Sequence, residues 1–307
     1  MCDGVTQSQP GMELSLFSRD VIAMATAVAL SHNVFDAVLC LGVCDKIVPG
    51  LLIGAMHFGH LPASSMPGGP IPSGLPNAER RKSASFTPRA RSGGRRCWRR
   101  SRKRITHREL VLSTAPPIPD QMLMEAMGLH LPGAAFVRYP LRDALTQAAA
   151  QRAARITALG DEYLPVGRIV DERTIVNGIV GLLATGGSTN HTLHLVAIAH
   201  AAGISINWDD FSDPWMPLLA DLSQRPSRRE SLSRGGRHGF SQSANCSMPR
   251  LLHGDVLTVA RRGLARYAGT DYGQRRAGLA SGAEAERRRT CCVPLLGRSV
   301  PRADSNW

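Results

Sequence analysis

Cys44-Asp45-Lys46 sets a thiol, a carboxylate and an amine side by side at the end of a short apolar run. A thiolate suits the iron of an iron–sulfur cluster, and a carboxylate suits a hard cation such as Mg2+. Neighbouring side chains diverge, so one turn can hold a cluster on one side and a cation on the other. A lysine ammonium is not a ligand, but a lysine carbamylated by CO2 becomes a carboxylate and can be one. The competing arrangement is a packed cysteine beside a solvated Asp–Lys pair, and spacing alone favours it. Cys40, inside the apolar run, reads as packing. Cys2-Asp3-Gly4 repeats the Cys-Asp pairing where a frayed terminus would make it irrelevant. A second candidate is the glycine-rich turn 184–190 (ATGGSTN), in which Ser188, Thr189 or Asn190 can cap the helix that follows. Free amides at such a helix start form an anion site, although most turns of this kind only cap.

The elements that must position these groups follow from periodicity. Residues 11–31 (GMELSLFSRDVIAMATAVALS) read as a helix, buried on most faces in its C-terminal half. Residues 35–43 (FDAVLCLGV) read as a buried parallel strand, and Leu51–Phe58 as a helix after Val48-Pro49-Gly50. Strand, polar turn, helix is the α/β pattern, in which ligand sites collect where strands end. Further helices are expected over 121–130, 143–159 and 191–202, whereas 168–183 fits a helix or a strand.

The chain has 307 residues and 43% hydrophobic composition, enough to bury a core. No apolar run approaches the ~18 residues of a membrane span, and no signal segment opens the sequence. Seven cysteines without regular spacing argue against a disulfide scaffold and for a reducing compartment, hence a cytoplasmic chain. A net charge of +13 ordinarily points to nucleic acid or an anionic surface. Its location changes that inference. Residues 1–78 and 121–213 together hold 8 Lys/Arg against 14 Asp/Glu, and the remainder holds 29 against 10. Residues 80–108 alone carry 13 basic residues and no acid. Together with 223–250 and 271–307, they read as disordered or linker-like. A basic nucleic-acid-binding arm is disfavoured, because 80–108 shows one Trp, one Phe and no docking fold.

Four stretches carry a resemblance: 1–11 (MCDGVTQSQPG), 31–63 (SHNVFDAVLCLGVCDKIVPGLLIGAMHFGHLPA), 178–195 (GIVGLLATGGSTNHTLHL) and 206–213 (INWDDFSD). They resemble the family uniting dihydroxy-acid and 6-phosphogluconate dehydratases, whose Cys-Asp-Lys-x-x-Pro-Gly signature matches Cys44 to Gly50. Gly42-Val43 and Asn207-Trp208-Asp209-Asp210-Phe211 are similar to the 6-phosphogluconate branch of the Entner–Doudoroff route, and the dihydroxy-acid branch is the alternative. The resemblance implies an α/β fold. It implies an iron–sulfur cluster of the 4Fe–4S type on Cys44, and Mg2+ on Asp45, Asp3 and a carbamylated, catalytic Lys46. It also implies a sugar-acid phosphate substrate, a homodimer, and removal of the proton alpha to the carboxylate while cluster iron takes the departing 3-hydroxyl. Gly187, Ser188, Thr189 and Asn190 would cradle the substrate's carboxylate or phosphate.

The likeness covers about half the chain, in blocks. The family's second cluster cysteine is expected where Val111 stands, in the stretch 110–121 (LVLSTAPPIPDQ). The likeness fails after Asp213, returns at 251–267 and is lost again. Loss with spacing kept is the pattern of compensating frameshifts, so 79–120, 214–250 and 268–307 are expected to be shifted-frame text. The expected organisation is 1–78 and 121–213 as two parts of an incomplete N-terminal α/β domain, with disordered basic segments. The family's C-terminal β-rich domain, source of another Mg2+ ligand and the serine base, is expected to be absent. On this reading the chain neither holds a stable cluster nor turns over.

Overall fold

A computed structural model describes residues 9–43, 45–67, 117–136, 139–185, 189–212 and 251–268. Its centre is a β–α–β unit: β1 (Val38–Gly42), α2 (Ile47–Met56) and β2 (Ala63–Pro67), with the strands parallel and Cys40 opposite Ser65. Strand β1 falls within the expected 35–43. Strand β2 (ASSMP) carries no β-branched run, and only pairing with β1 fixes it as a strand. Ser65 also bridges in the parallel sense to His130, its amide N–H donating to Leu129 O at 3.0 Å. The chain beyond α3 (Pro117–Ala126) therefore meets the β2 edge at a single bridge. The first four residues of α3 belong to the basic segment 79–120; residues 79–116 of that segment lie outside the described residues.

Helix α1 (Phe17–Leu30) follows a 3-10 turn at Pro10–Leu14 and packs on α2. The Pro-Gly of the signature makes this packing possible. Pro49 sits in the first turn of α2, where an amide has no intrahelical acceptor to lose. At Gly50 a Cβ would stand 2.8 Å from Arg19 O, and at Gly54 it would stand 2.7 Å from Ala23 O. Two glycines one turn apart thus let the two backbones touch. The outer face of α1 departs from expectation. Phe17, Val21, Met24 and Val28 are exposed, and only Ala23 and Leu30 are buried. Apolar residues on every face of a helix mark burial only if something covers each face, and among the described residues nothing covers this one.

Helix α4 (Tyr139–Arg155) overlaps the expected 143–159 but begins and ends four residues earlier. The ambiguous 168–183 resolves into a short helix α5 (Val166–Ile169) and α6 (Glu172–Thr185), separated at Val170-Asp171. Asp171 makes the break, its Oδ1 accepting from Thr174 N at 2.8 Å as a helix cap. Helix α7 (Thr189–Ala201) packs on α2 and α6, and a 3-10 turn closes at Asp209–Phe211. A large apolar core runs through α2, α3, α6 and α7.

Residues 251–268, ending in the short helix α8 (Ala265–Ala268), are fastened to this core by polar bonds. The Asn177 side chain both accepts from His253 N (2.8 Å) and donates to His253 O (3.0 Å). Val259 N donates to Gly128 O, and Tyr267 Oη donates to His130 O at 2.8 Å. Gly128 has a left-handed φ of 72°, and a Cβ there would meet Thr258 at 2.6 Å, so the junction requires glycine twice over.

Candidate metal-binding turn

Asp45 and Lys46 stand between β1 and the start of α2. Asp45 and Lys46 are each only 3% exposed, so the solvated pair that spacing alone favours does not form. The reason is α7, whose first turn lies over them. Lys46 Nζ donates to Asp45 Oδ2 at 2.8 Å, and Asn190 Nδ2 donates to the same oxygen at 2.9 Å. One buried carboxylate thus gathers an ammonium and an amide from two elements. Buried charges persist only when paired and hydrogen-bonded in this way.

Helix α7 begins at Thr189, so Thr189 and Asn190 lie inside its first turn rather than capping it. Thr189 is exposed, and Asn190 spends its amide on Asp45. Cys44, Asp3, Gly187, Ser188 and Val111 lie outside the described residues. Cys40 is buried, and desolvation pushes its thiol up to about 11, so it stays a protonated packing group.

Behind the pair stand groups that sequence reasoning missed. His191 and His194 are buried on α7, and Arg19 reaches His194 from α1, with Nη1 at 3.4 Å from Nδ1. Arg19 is itself held by Asp20 at 2.8 Å. Burial, aided by the Arg19 charge, lowers His194 to about 4. The available signal was three polar residues, Asn190, His191 and His194, spaced to recur on one side of a helix directly after a glycine-rich turn.

Among the described residues no group of three or more His, Cys, Asp or Glu converges to hold a metal. Even so, the donor chemistry of Asp45 suits a hard cation. Its Oδ2 already neutralises a cation, the Lys46 ammonium, which stands where a metal ion would compete. Carbamylation of Lys46 would turn that competitor into a second carboxylate. The iron–sulfur expectation rests on Cys44, and no described residue bears on it.

A β–α–β unit with charged groups buried at its strand end defines an α/β protein built around a polar, cation-neutralising turn. The chain belongs to the dihydroxy-acid/6-phosphogluconate dehydratase N-terminal family, which it matches over residues 1–267. It is 52% identical to a phosphogluconate dehydratase of Rhizobium meliloti, over 87% of this chain and 45% of that protein. It is 50% identical to the Escherichia coli phosphogluconate dehydratase over the same shares. It is 32% identical to a dihydroxy-acid dehydratase of Methylococcus capsulatus, over 85% and 48%. The chain spans about half the length of the curated relatives it matches. The matched span runs through both internal basic segments, beyond the half expected from sequence alone. It ends at residue 267, just before the last of them.

Proposed function

We propose that this chain carries the metal-binding turn of an enzyme that dehydrates 6-phospho-D-gluconate to 2-dehydro-3-deoxy-6-phospho-D-gluconate and water, the Entner–Doudoroff reaction. The buried Asp45–Lys46–Asn190 cluster, lying inside the family match, carries this reading. Identity near 50% to phosphogluconate dehydratases against 32% to a dihydroxy-acid dehydratase favours the phosphorylated substrate.

In this reaction a proton leaves the carbon alpha to the carboxylate and hydroxide leaves its neighbour. The enol then tautomerises to the 2-keto acid. Cys44 would hold the iron–sulfur cluster, and Asp3, Asp45 and a carbamylated Lys46 would hold Mg2+. When bound, these groups supply Lewis acidity that stabilises enediolate charge and the departing hydroxide. The contribution of Asp45 is to keep a buried anionic oxygen at the strand end, oriented by Asn190. Lys46 holds that oxygen in reserve: its ammonium must leave Oδ2 before another cation enters. The turn 187–190 (GSTN) is the proposed cradle for an anionic substrate group. The reducing cytoplasm is the compartment that free thiols and such a cluster require.

A homodimer belongs to the same proposal. Leu14, Phe17, Val21, Met24 and Val28 are 44–64% exposed, and no charged residue lies between Val21 and Leu30. Paired across a two-fold axis, two such faces would bury on the order of 1,000 Å2, near the lower bound for a specific interface.

As it stands, the chain carries Val111 where the family's second cluster cysteine is expected, and the basic segments are proposed to be shifted-frame text. Sequencing the gene across codons 75–125 and translating all forward frames tests this, since a cysteine codon should reappear at 111. The chain itself should show no brown iron–sulfur absorption after anaerobic reconstitution. A gene with its frame restored should turn over 6-phosphogluconate in preference to a dihydroxy-acid. The reverse preference would reject the proposed substrate.

A further inference from the structure

We infer that His194 presents a neutral Nε2–H donor to an anionic oxygen of the ligand bound at the Asp45–Lys46 turn, a role resting on the function proposed above. The tautomer follows from its neighbour. A guanidinium has only donors and does not give up its proton, so Arg19 Nη1, 3.4 Å from His194 Nδ1, makes that nitrogen the acceptor. In a neutral ring the proton then sits on Nε2. Nε2 is buried with no partner among the described residues, and the residue is 1% exposed. A buried donor without an acceptor is costly and rare in native structures, so its persistence calls for an occupant.

The surroundings name the class of occupant. Arg19, Asp45, His191 and Lys46 all act electrostatically on this imidazole, which places it within the buried charge cluster. The one carboxylate in that set already has Oδ2 committed to Lys46 and Asn190. A donor beside two cations suits an incoming anion, and a sugar-acid phosphate offers two, its carboxylate and its phosphate.

The test uses the full chain with 15N-labelled histidine. Two-bond nitrogen–proton correlation should show His194 as the Nε2–H tautomer, and 6-phosphogluconate should shift that nitrogen. Gluconate and inorganic phosphate, titrated separately, decide which anion it meets. His194→Gln, whose amide nitrogen can stand in for Nε2, should bind 6-phosphogluconate within about threefold of the parent chain. His194→Ala should weaken binding by about tenfold or more, the effect of losing one hydrogen bond to a charged group. If His194→Ala does not fold, the parent spectrum and His194→Gln still decide. An Nδ1–H tautomer, an Nε2 signal unmoved by all three probes, or unchanged binding by His194→Ala overturns the inference. Should a dihydroxy-acid bind instead, with the same dependence on His194, the substrate reading fails and the donor stands. Unchanged 6-phosphogluconate binding by His194→Ala removes the donor and leaves the substrate reading intact.

Discussion

Two regions of this molecule bury ionisable side chains, and they use them differently. Around 125–135 and 251–268, the polar groups bond to backbone. Glu125 accepts from Gly133 N and Ala135 N at 2.8 and 3.0 Å, Tyr267 donates to the His130 carbonyl, and Asn177 grips both backbone groups of His253. At the β1–α2 turn, the polar groups bond to one another: Lys46 and Asn190 to Asp45, and Arg19 to His194. A side chain bonded to a buried amide cannot let go without orphaning it. A side chain bonded to another side chain can exchange partners, because both ends can swing toward a ligand. The first region is a latch and the second is the candidate site. Substitutions should therefore separate stability from function between them.

The largest effect is expected at Asp45. Asp45→Ala leaves the Lys46 ammonium buried without its counter-ion, a situation costing about 3–5 kcal/mol. Adding Lys46→Met should return most of that stability, because a matched apolar replacement of a buried ion pair is often neutral. Binding of 6-phosphogluconate should not return with it. Urea unfolding of the single and double variants, beside a binding titration, checks both halves. If the double variant recovers binding as well, Asp45 is architecture and the contrast between the regions collapses.

The next effect concerns pH. Burial raises Glu125 to about 7, while burial lowers His130 to about 3 and His194 to about 4. Between about pH 4.5 and 6.5 the unfolded chain takes up two histidine protons that the folded chain refuses. The folded chain in turn keeps one proton on Glu125 that the unfolded chain gives up. One net proton remains, so stability should rise with pH in this window by about 1.4 kcal/mol per unit. Glu125→Gln removes the opposing group, and the slope should steepen to about 2.8 kcal/mol per unit. The variant also turns an amide NH2 toward Gly133 N or Ala135 N, so it should be less stable throughout. Denaturant midpoints from pH 4.5 to 6.5 measure both consequences. An unchanged slope would mean that Glu125 is ionised in the fold across the whole window.

Much of this contrast was legible in the sequence, though unevenly. The turn at 44–46 stood out because a reactive triplet followed an apolar run; β1 and α7 were expected close to where they lie, whereas α2 was expected to start four residues later than Ile47. That Asp45 and Lys46 are buried was not legible, because their cover comes from α7, well over a hundred residues away. Arg19 went unnoticed because α1 reads as a packing helix, and one arginine in such a helix looks like a solvated edge. His191 and His194 were hidden for the opposite reason, since histidines among apolar residues pass as ordinary core. Strand β2 was missed because ASSMP has no pattern of its own and becomes a strand only by pairing with β1. The latch was beyond local reading altogether: Glu125 finds its two amides in the loop that follows α3, and Tyr267 finds its carbonyl 137 residues away.

The smallest expected effect sharpens the latch side. Tyr267 is fully buried, and desolvation pushes its phenol well above the ordinary range, so the hydroxyl remains a donor at every accessible pH. Tyr267→Phe keeps the ring in place and removes the hydroxyl, with its short bond to His130 O and its longer one to Gly128 O. The ring's apolar burial is unchanged, so the loss should be about 1 kcal/mol, the net value of one neutral hydrogen bond, with no new cavity. The carbonyl left behind sits beside the Ser65–His130 bridge, so loosening should spread toward β2 rather than toward Asp45. Hydrogen exchange can follow this directly. The Ser65 and Val259 amides should exchange faster in Tyr267→Phe, while Gly50 N, bonded to Lys46 O at the site, should keep its protection beyond the global loss. Equal acceleration at Gly50 would show that latch and site open as one unit, and the division between them would then be one of bonding pattern and not of energetics.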